Sequence, residues 1–224
     1  MRDEGRWTYD VYSSFFPRLS SIVKLICINM SIVFLDRDGV INQFPGNGNY
    51  VTKVKEFHFI PGSLDAIREL TAMGYTIFII SNQAGVGKGL FTKEKLKNIN
   101  DYMLRHIAKA GGRIKRSFYC THKSDAGCDC RKPQIGSIKS AFSLINTNIR
   151  SARKVFFVGD TGVDIKTGYN AGCRTIFALS GREDRRYMRK WDVKPDFIVR
   201  NLKEAVEVIR HENPHHSRDG RGRA

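Results

Sequence analysis

The stretch Val33-Phe34-Leu35-Asp36-Arg37-Asp38-Gly39-Val40-Ile41-Asn42 decides the fold. An apolar run that belongs in a core ends abruptly in two carboxylates and a glycine. Side chains two apart on a strand leave it on the same side, so Asp36 and Asp38 aim at one place. Buried acids are costly, and a chain that ends a core strand in two of them has a use for them.

Outward from this point, apolar strand-like runs recur at 31–36, 75–81, 114–120, 154–160, 173–179 and 196–199. Helical periodicity fills the intervals at 63–73, 92–109, 134–146, 163–171 and 201–210. Ser63, after Pro61-Gly62, and Thr92 are placed to cap helix N-termini. Gly74, Gly111 and Gly172 stand where helices end. Strands alternating with helices through short connections predict an α/β fold, a doubly wound and mostly parallel sheet with helices on both faces. The near-continuous apolar strands fit a sheet buried on both sides. A chain of 224 residues, 41% of them hydrophobic, can bury one good core, so one domain is expected over residues 30–210. No internal repeat is visible.

The ends differ from this core. Residues 1–29 show no periodicity, and Met30 directly precedes the first strand. Two readings stand level: Met30 is the start and 1–29 an upstream extension, or 1–29 is an arm packed on the domain. The tail HENPHHSRDGRGRA (211–224) is polar and expected to be disordered, its histidines 211, 215 and 216 solvated. No apolar run approaches the ~20 residues of a membrane span. The segment SSIVKLICIN carries Lys24 in its middle and lacks a small-residue cleavage site. A soluble, cytoplasmic monomer is expected.

The formal charge is +16, and the ends contribute little of it. Residues 1–29 hold four basic and three acidic residues, and 211–224 hold three and two, which leaves +14 between them. Such a field ranks phosphorylated small molecules, nucleic acid and anionic membrane as partners without choosing among them.

In an open parallel sheet ligands bind beyond the carboxyl ends of the strands. Here those ends carry Asp36-Arg37-Asp38-Gly39, Ser81-Asn82-Gln83 leading into AGVGKG, and Gly159-Asp160-Thr161-Gly162-Val163-Asp164; Arg131-Lys132-Pro133 precedes the third helix. Converging carboxylates repel unless a hard cation joins them, and oxygen ligands at a phosphate site favour Mg²⁺. The lysine and small polar groups would balance a phosphate. The set describes a phosphoryl-transfer site.

DRDGVIN, ISNQAG, CRKP and GDTGVD resemble, in order and spacing, the four motifs of the haloacid dehalogenase (HAD) phosphohydrolase superfamily over residues 31–210. The resemblance implies a Rossmann-like fold and a nucleophile, Asp36, that attacks phosphorus to form an aspartyl-phosphate. It makes Asp38 the acid that protonates the leaving alcohol and then the base that activates water. Asp160 would complete the Mg²⁺ shell with Asp36 and the backbone carbonyl of Asp38, and Asp164 would assist or orient. Ser81 and Lys132 would hold the phosphoryl oxygens.

The chain has five cysteines, and three crowd into residues 120–130. Cys120-x-His122-x5-Cys128-x-Cys130 offers three thiolates and one imidazole, a closed tetrahedral set for a structural Zn²⁺. Independent cysteines with redox or catalytic duties are the alternative. A zinc loop followed by CRKP resembles the HAD branch that holds D-glycero-D-manno-heptose 1,7-bisphosphate phosphatases and histidinol-phosphate phosphatases. YVTKVKEFHFIPGSLDAIREL and SNQAGVGKGLFT look like the heptose enzymes, whereas the short x5 spacing looks like the histidinol-phosphate group. About forty residues separate the first two motifs, so no large cap domain is expected. The zinc-stabilised loop and residues 42–58 would shape the pocket. Asn82, Arg131 and Lys132 are candidate substrate contacts, and Lys88 is either another or a solvated loop lysine. A sugar bisphosphate is the expected substrate, ahead of histidinol phosphate. A nucleic-acid 3′-phosphatase is disfavoured by the absence of an aromatic and basic stacking platform, and a basic nucleic-acid-binding module by the intact acids Asp36, Asp38 and Asp160. The cluster GREDRRYMRK (181–190) is read as a solvated surface segment.

Overall fold

The computed structural model describes residues 6–10, 30–150, 152 and 154–212. Its strands are β1 (Arg6–Asp10), β2 (Ser31–Leu35), β3 (Thr76–Asn82), β4 (Arg116–Cys120), β5 (Lys154–Gly159), β6 (Arg174–Ala178) and β7 (Phe197–Val199). They form one sheet in the order β1-β4-β3-β2-β5-β6-β7. Strands β2 to β7 pair in parallel, and β1 adds an antiparallel edge strand on β4. β1 falls in the stretch read as without periodicity, although Trp7 and Tyr9 alternate with Arg6, Thr8 and Asp10 as in a half-buried strand. The disorder expected of the tail falls, from 213 onward, outside the described residues.

The helices are α1 (Ser63–Ala72), α2 (Ala84–Gly87), α3 (Lys93–Lys109), α4 (Gly136–Leu144), α5 (Gly162–Ala171) and α6 (Leu202–His211). The two faces of β2 show why they sit on both sides. Val33 and Leu35 join a core with Ile67 and Leu70 of α1, Ile99 and Met103 of α3, and Val206 and Ile209 of α6. Ile32 and Phe34 point the other way, into a core with Ile138, Ala141 and Phe142 of α4. A smaller cluster joins Ile165 of α5 to Phe177 and Val193. At about 25 cal/mol per Å² of apolar surface removed from water, these two large cores are the main stabilising term.

Local chemistry sets most boundaries as expected. The Thr92 hydroxyl accepts from Lys95 N at 3.3 Å. Gly74, Gly111 and Gly172 take left-handed conformations after their helices. Ser63 differs: the left-handed Gly62 occupies the cap position, and Ser63 is the first helical residue, with no capping hydrogen bond. The glycine-rich stretch after β3 also departs from a simple loop. Its first four residues turn as α2, and a Cβ on Gly87 would lie 2.4 Å from Thr121 O, so this turn packs directly on the segment after β4. Among the described residues no helix is long and apolar enough to cross a membrane.

Candidate active site and cysteine-histidine cluster

The four expected strand-end segments meet at the carboxyl edge of β2, β3 and β5. Asp36 follows the last residue of β2, and its amide donates to Val158 O of β5 at 3.0 Å. Lys132 reaches in from the segment after β4. Its Nζ lies 2.8 Å from Asp36 Oδ1 and 2.5 Å from Asp164 Oδ1, and only 3% of its side chain is exposed. Burial works against the ammonium, but Asp164 and Asp36 outweigh it and raise its pKa. Asn82 secures this lysine: Lys132 N donates to Asn82 Oδ1 at 3.0 Å, and Asn82 Nδ2 donates to Lys132 O at 3.2 Å. Asn82 thus lines the cleft while holding the Lys132 backbone.

Asp36, Asp160 and Asp164 each bring a carboxylate oxygen within 4.8 Å of the others, and all three are buried. Burial pushes the Asp36 carboxyl up to about 6, against the pull of Lys132 and with help from Asp164 and Asp38. Burial, then Asp164 and Asp36, raises Asp160 well above the usual carboxylate range. Three crowded carboxylates facing one ammonium fit a hard divalent cation such as Mg²⁺. Metal and proton compete for such oxygens. Without metal, ionising Asp36 works against folding as pH rises from 3.8 towards about 6, because the folded state holds the proton more tightly. Saturating Mg²⁺ should therefore raise the melting temperature more at about pH 7.5 than at about pH 5. Equal shifts in differential scanning fluorimetry at both pH values would contradict this assignment.

Asp38 stands apart from the carboxylate cluster. Arg37 Nε and Nη2 donate to Asp38 Oδ1 at 3.1 and 2.9 Å, Asn42 Nδ2 to Oδ1 at 2.8 Å, and Gln83 Nε2 to Oδ2 at 2.8 Å. Gln83 Nε2 also reaches Ser81 Oγ at 3.2 Å within its own motif, while its bond to Asp38 ties the first two motifs together. Arg37 is fully buried with its guanidinium 5.8 Å from the Tyr119 ring centre. Sequence reading missed Arg37, Asn42 and Gln83 as orienting groups, although all three lie inside its quoted motifs.

Asp160 is also enclosed by a segment that the sequence suggested was solvated. A Cβ on Gly39 would meet Asp160 Oδ2 at 2.2 Å, and one on Gly181 would meet it at 2.0 Å. Both positions exclude side chains because the chain closes directly over this acid. Arg182 N donates to Asp160 Oδ2 at 2.6 Å, and Gly162 N donates to Glu183 Oε2 at 2.7 Å. Thr161 and Asp164 form a reciprocal capping box at the start of α5, which fixes Asp164 against Lys132. The resulting cleft of about 240 Å³ is lined by Asp36, Ser81, Arg131, Lys132, Asp160 and Arg182, among others. Arg131 has a buried Nη1 with no hydrogen-bond partner. Lys88 is exposed, with its Nζ 5.8 Å from the ring centre of Tyr50, a cleft residue.

Beside the cleft, Cys120, His122, Cys128 and Cys130 converge. Cys128 Sγ lies 3.6 Å from both Cys120 Sγ and Cys130 Sγ, and His122 Nδ1 lies 3.7 and 3.3 Å from Cys120 and Cys130. A tetrahedral Zn²⁺ with bonds of about 2.3 Å to sulfur and 2.0–2.1 Å to nitrogen requires edges of about 3.8 and 3.6 Å. The donor set and spacing fit that ion, with Nδ1 as the histidine ligand. Cys173, the other cysteine among the described residues, is buried elsewhere, and burial pushes its thiol up to about 12.

A family profile described as HAD-hydrolase-like matches residues 129–205. The D-glycero-beta-D-manno-heptose-1,7-bisphosphate 7-phosphatase of Bordetella bronchiseptica is 37% identical over 152 residues, which are 68% of this chain and 82% of that protein. The D-glycero-alpha-D-manno-heptose-1,7-bisphosphate 7-phosphatase of Campylobacter jejuni is 31% identical over 180 residues, 80% of this chain and 95% of that protein. The crystal structure of D,D-heptose 1,7-bisphosphate phosphatase from B. bronchiseptica, complexed with magnesium and phosphate, matches with a TM-score of 0.74. It is 32% identical, covering 82% of this chain and 99% of that one. Shared sequence over most of the chain, a shared fold and acids gathered at the strand ends lead to one conclusion: the chain belongs to the HAD-like phosphatase family.

Proposed function

We propose that this protein is a Mg²⁺-dependent phosphatase that removes the 7-phosphate of a D-glycero-D-manno-heptose 1,7-bisphosphate. The observation that carries the reading is a cleft lined by two cations beside its buried carboxylates. Lys132 stands at Asp36, and Arg131, the residue before it, lines the same cleft. The names of the relatives supply the substrate class.

In this mechanism an Asp36 oxygen attacks phosphorus, the bond from phosphorus to the sugar oxygen breaks, and Asp38 gives its proton to that oxygen. Asp38 then takes a proton from water, the water oxygen attacks phosphorus, and the bond to Asp36 breaks. Lys132 and Ser81 hold the phosphoryl oxygens, and Lys132 tempers repulsion between the anionic nucleophile and its anionic substrate. Mg²⁺ held by Asp36, Asp160 and the backbone carbonyl of Asp38 would supply further neutralisation of phosphoryl charge. Arg37, Asn42 and Gln83 keep Asp38 oriented. Arg131 holds the second phosphate, and that remote binding positions the reacting one.

The heptose 1,7-bisphosphate should therefore be preferred to histidinol phosphate, whose cationic amine has no use for Arg131. Measuring kcat/KM for both at equal ionic strength tests the reading. A clear preference for histidinol phosphate would overturn the substrate assignment.

A further inference from the structure

We propose that Arg182 selects for a second phosphate on the substrate, gripping the non-reacting group at the rim of the cleft; this rests on the bisphosphate reading above. The chain leaving β6 returns across the site as a strap with several ties. Ser180 Oγ donates to Gly39 O at 2.7 Å, and the Arg182 and Glu183 amides donate to Asp160, at Oδ2 over 2.6 Å and at O over 3.3 Å. Glu183 in turn receives the Gly162 amide. The Arg182 backbone is therefore fixed against a buried acid, while its side chain is exposed at the cleft wall.

That side chain has an unusual position for a surface arginine. Its Nε donates to Asn47 Oδ1 at 3.1 Å, bridging to the loop that supplies Gly46, Gly48 and Tyr50 to the cleft. Its two Nη groups make no hydrogen bond or ion pair among the described residues. Arg186, four residues on, is instead paired to Asp184 of its own segment. Lys132, the cation nearest the reacting centre, is already committed to Asp36 and Asp164. The cleft thus offers two guanidinium groups beyond the reacting centre, Arg131 from the cysteine-histidine loop and Arg182 from the strap. One phosphate at Asp36 has no need of both. A planar guanidinium suits bidentate phosphate recognition, and the tether to Asn47 presets this one at the mouth.

The test compares kcat/KM for the heptose 1,7-bisphosphate with that for heptose 7-phosphate, which lacks the remote group. In Arg182→Gln, which removes the charge but can still donate to Asn47, the ratio should fall about tenfold to a hundredfold, mainly through KM for the bisphosphate. Arg182→Lys keeps a charge without the fork and should lose less. A ratio that falls in neither variant overturns the role of Arg182 while the substrate reading stands. A wild-type enzyme with no preference for the bisphosphate overturns the substrate reading instead, and the inference with it.

Discussion

Asp36→Asn is expected to reduce phosphatase turnover by about 10⁴-fold or more, the scale seen when a covalent nucleophile is removed. The amide is nearly the same size as the carboxylate, so the pocket keeps its shape, but it cannot form the aspartyl-phosphate. The substitution also separates chemistry from folding. Asp36 is crowded by buried Asp160 and Asp164, and burial already pushes its own carboxyl towards neutrality. Removing its charge relieves that crowding, and Lys132 keeps its ion pair with Asp164. Thermal stability without metal should therefore hold or rise while activity disappears. Acid quenching with labelled substrate should trap a phosphorylated chain in the wild type and none in Asp36→Asn. Asp38→Asn should slow both formation and breakdown of that species and leave the carboxylate cluster intact, since its side chain lies outside it. Near-wild-type turnover by Asp36→Asn would exclude the covalent route.

Much of this site is legible in the sequence because its residues sit where strands stop. An apolar run that breaks into acid or hydroxyl residues marks a strand end, and parallel strands present all such ends on one edge. Asp36, Ser81, Asp160 and Asp164 meet for that reason, Lys132 reaches them along the segment between β4 and α4, and the caps at Thr92 and Gly172 follow equally local rules. What stayed hidden depends on contacts between distant segments. Nothing near Arg182 in sequence reveals that Gly181 presses on Asp160, 21 positions earlier, or that its guanidinium meets Asn47. A charge run in GREDRRYMRK looks solvated, and beyond residue 184 it is largely exposed; only its first residues turn into the cleft. Asn82 looks like a substrate contact because it stands at a strand end, yet its amide is engaged with the Lys132 backbone, 50 residues away. The strand at Arg6–Asp10 shows only two alternating aromatics, Trp7 and Tyr9, a pattern too short to mark a strand until its pairing with β4 is seen.

Removing the cysteine-histidine cluster should weaken substrate binding more than it weakens the chemistry. Freshly prepared, reduced protein is expected to carry about one zinc per chain by elemental analysis, held separately from the Mg²⁺ needed for turnover. Cys128→Ser should lose that zinc and lower the melting temperature by on the order of 10 °C, as a loss of a few kcal/mol would in a chain of this size. The effect on activity follows from the order of residues after the cluster: Cys130 is followed at once by Arg131 and Lys132. Lys132 has supports that do not depend on metal, namely the paired bonds to Asn82 and the ion pairs to Asp36 and Asp164. Arg131 has no such hydrogen bond at its buried Nη1. The segment retains the bonds from Ser137 Oγ to Cys130 O and from Gly136 N to Asp129 O, so it loosens rather than unfolds. Zinc loss should therefore displace Arg131 first, raising KM for a bisphosphate substrate more than it lowers kcat. Reduced protein without zinc would refute a structural metal here. A Cys128→Ser variant in which kcat collapses at unchanged KM would instead show that the metal's main task is to place Lys132.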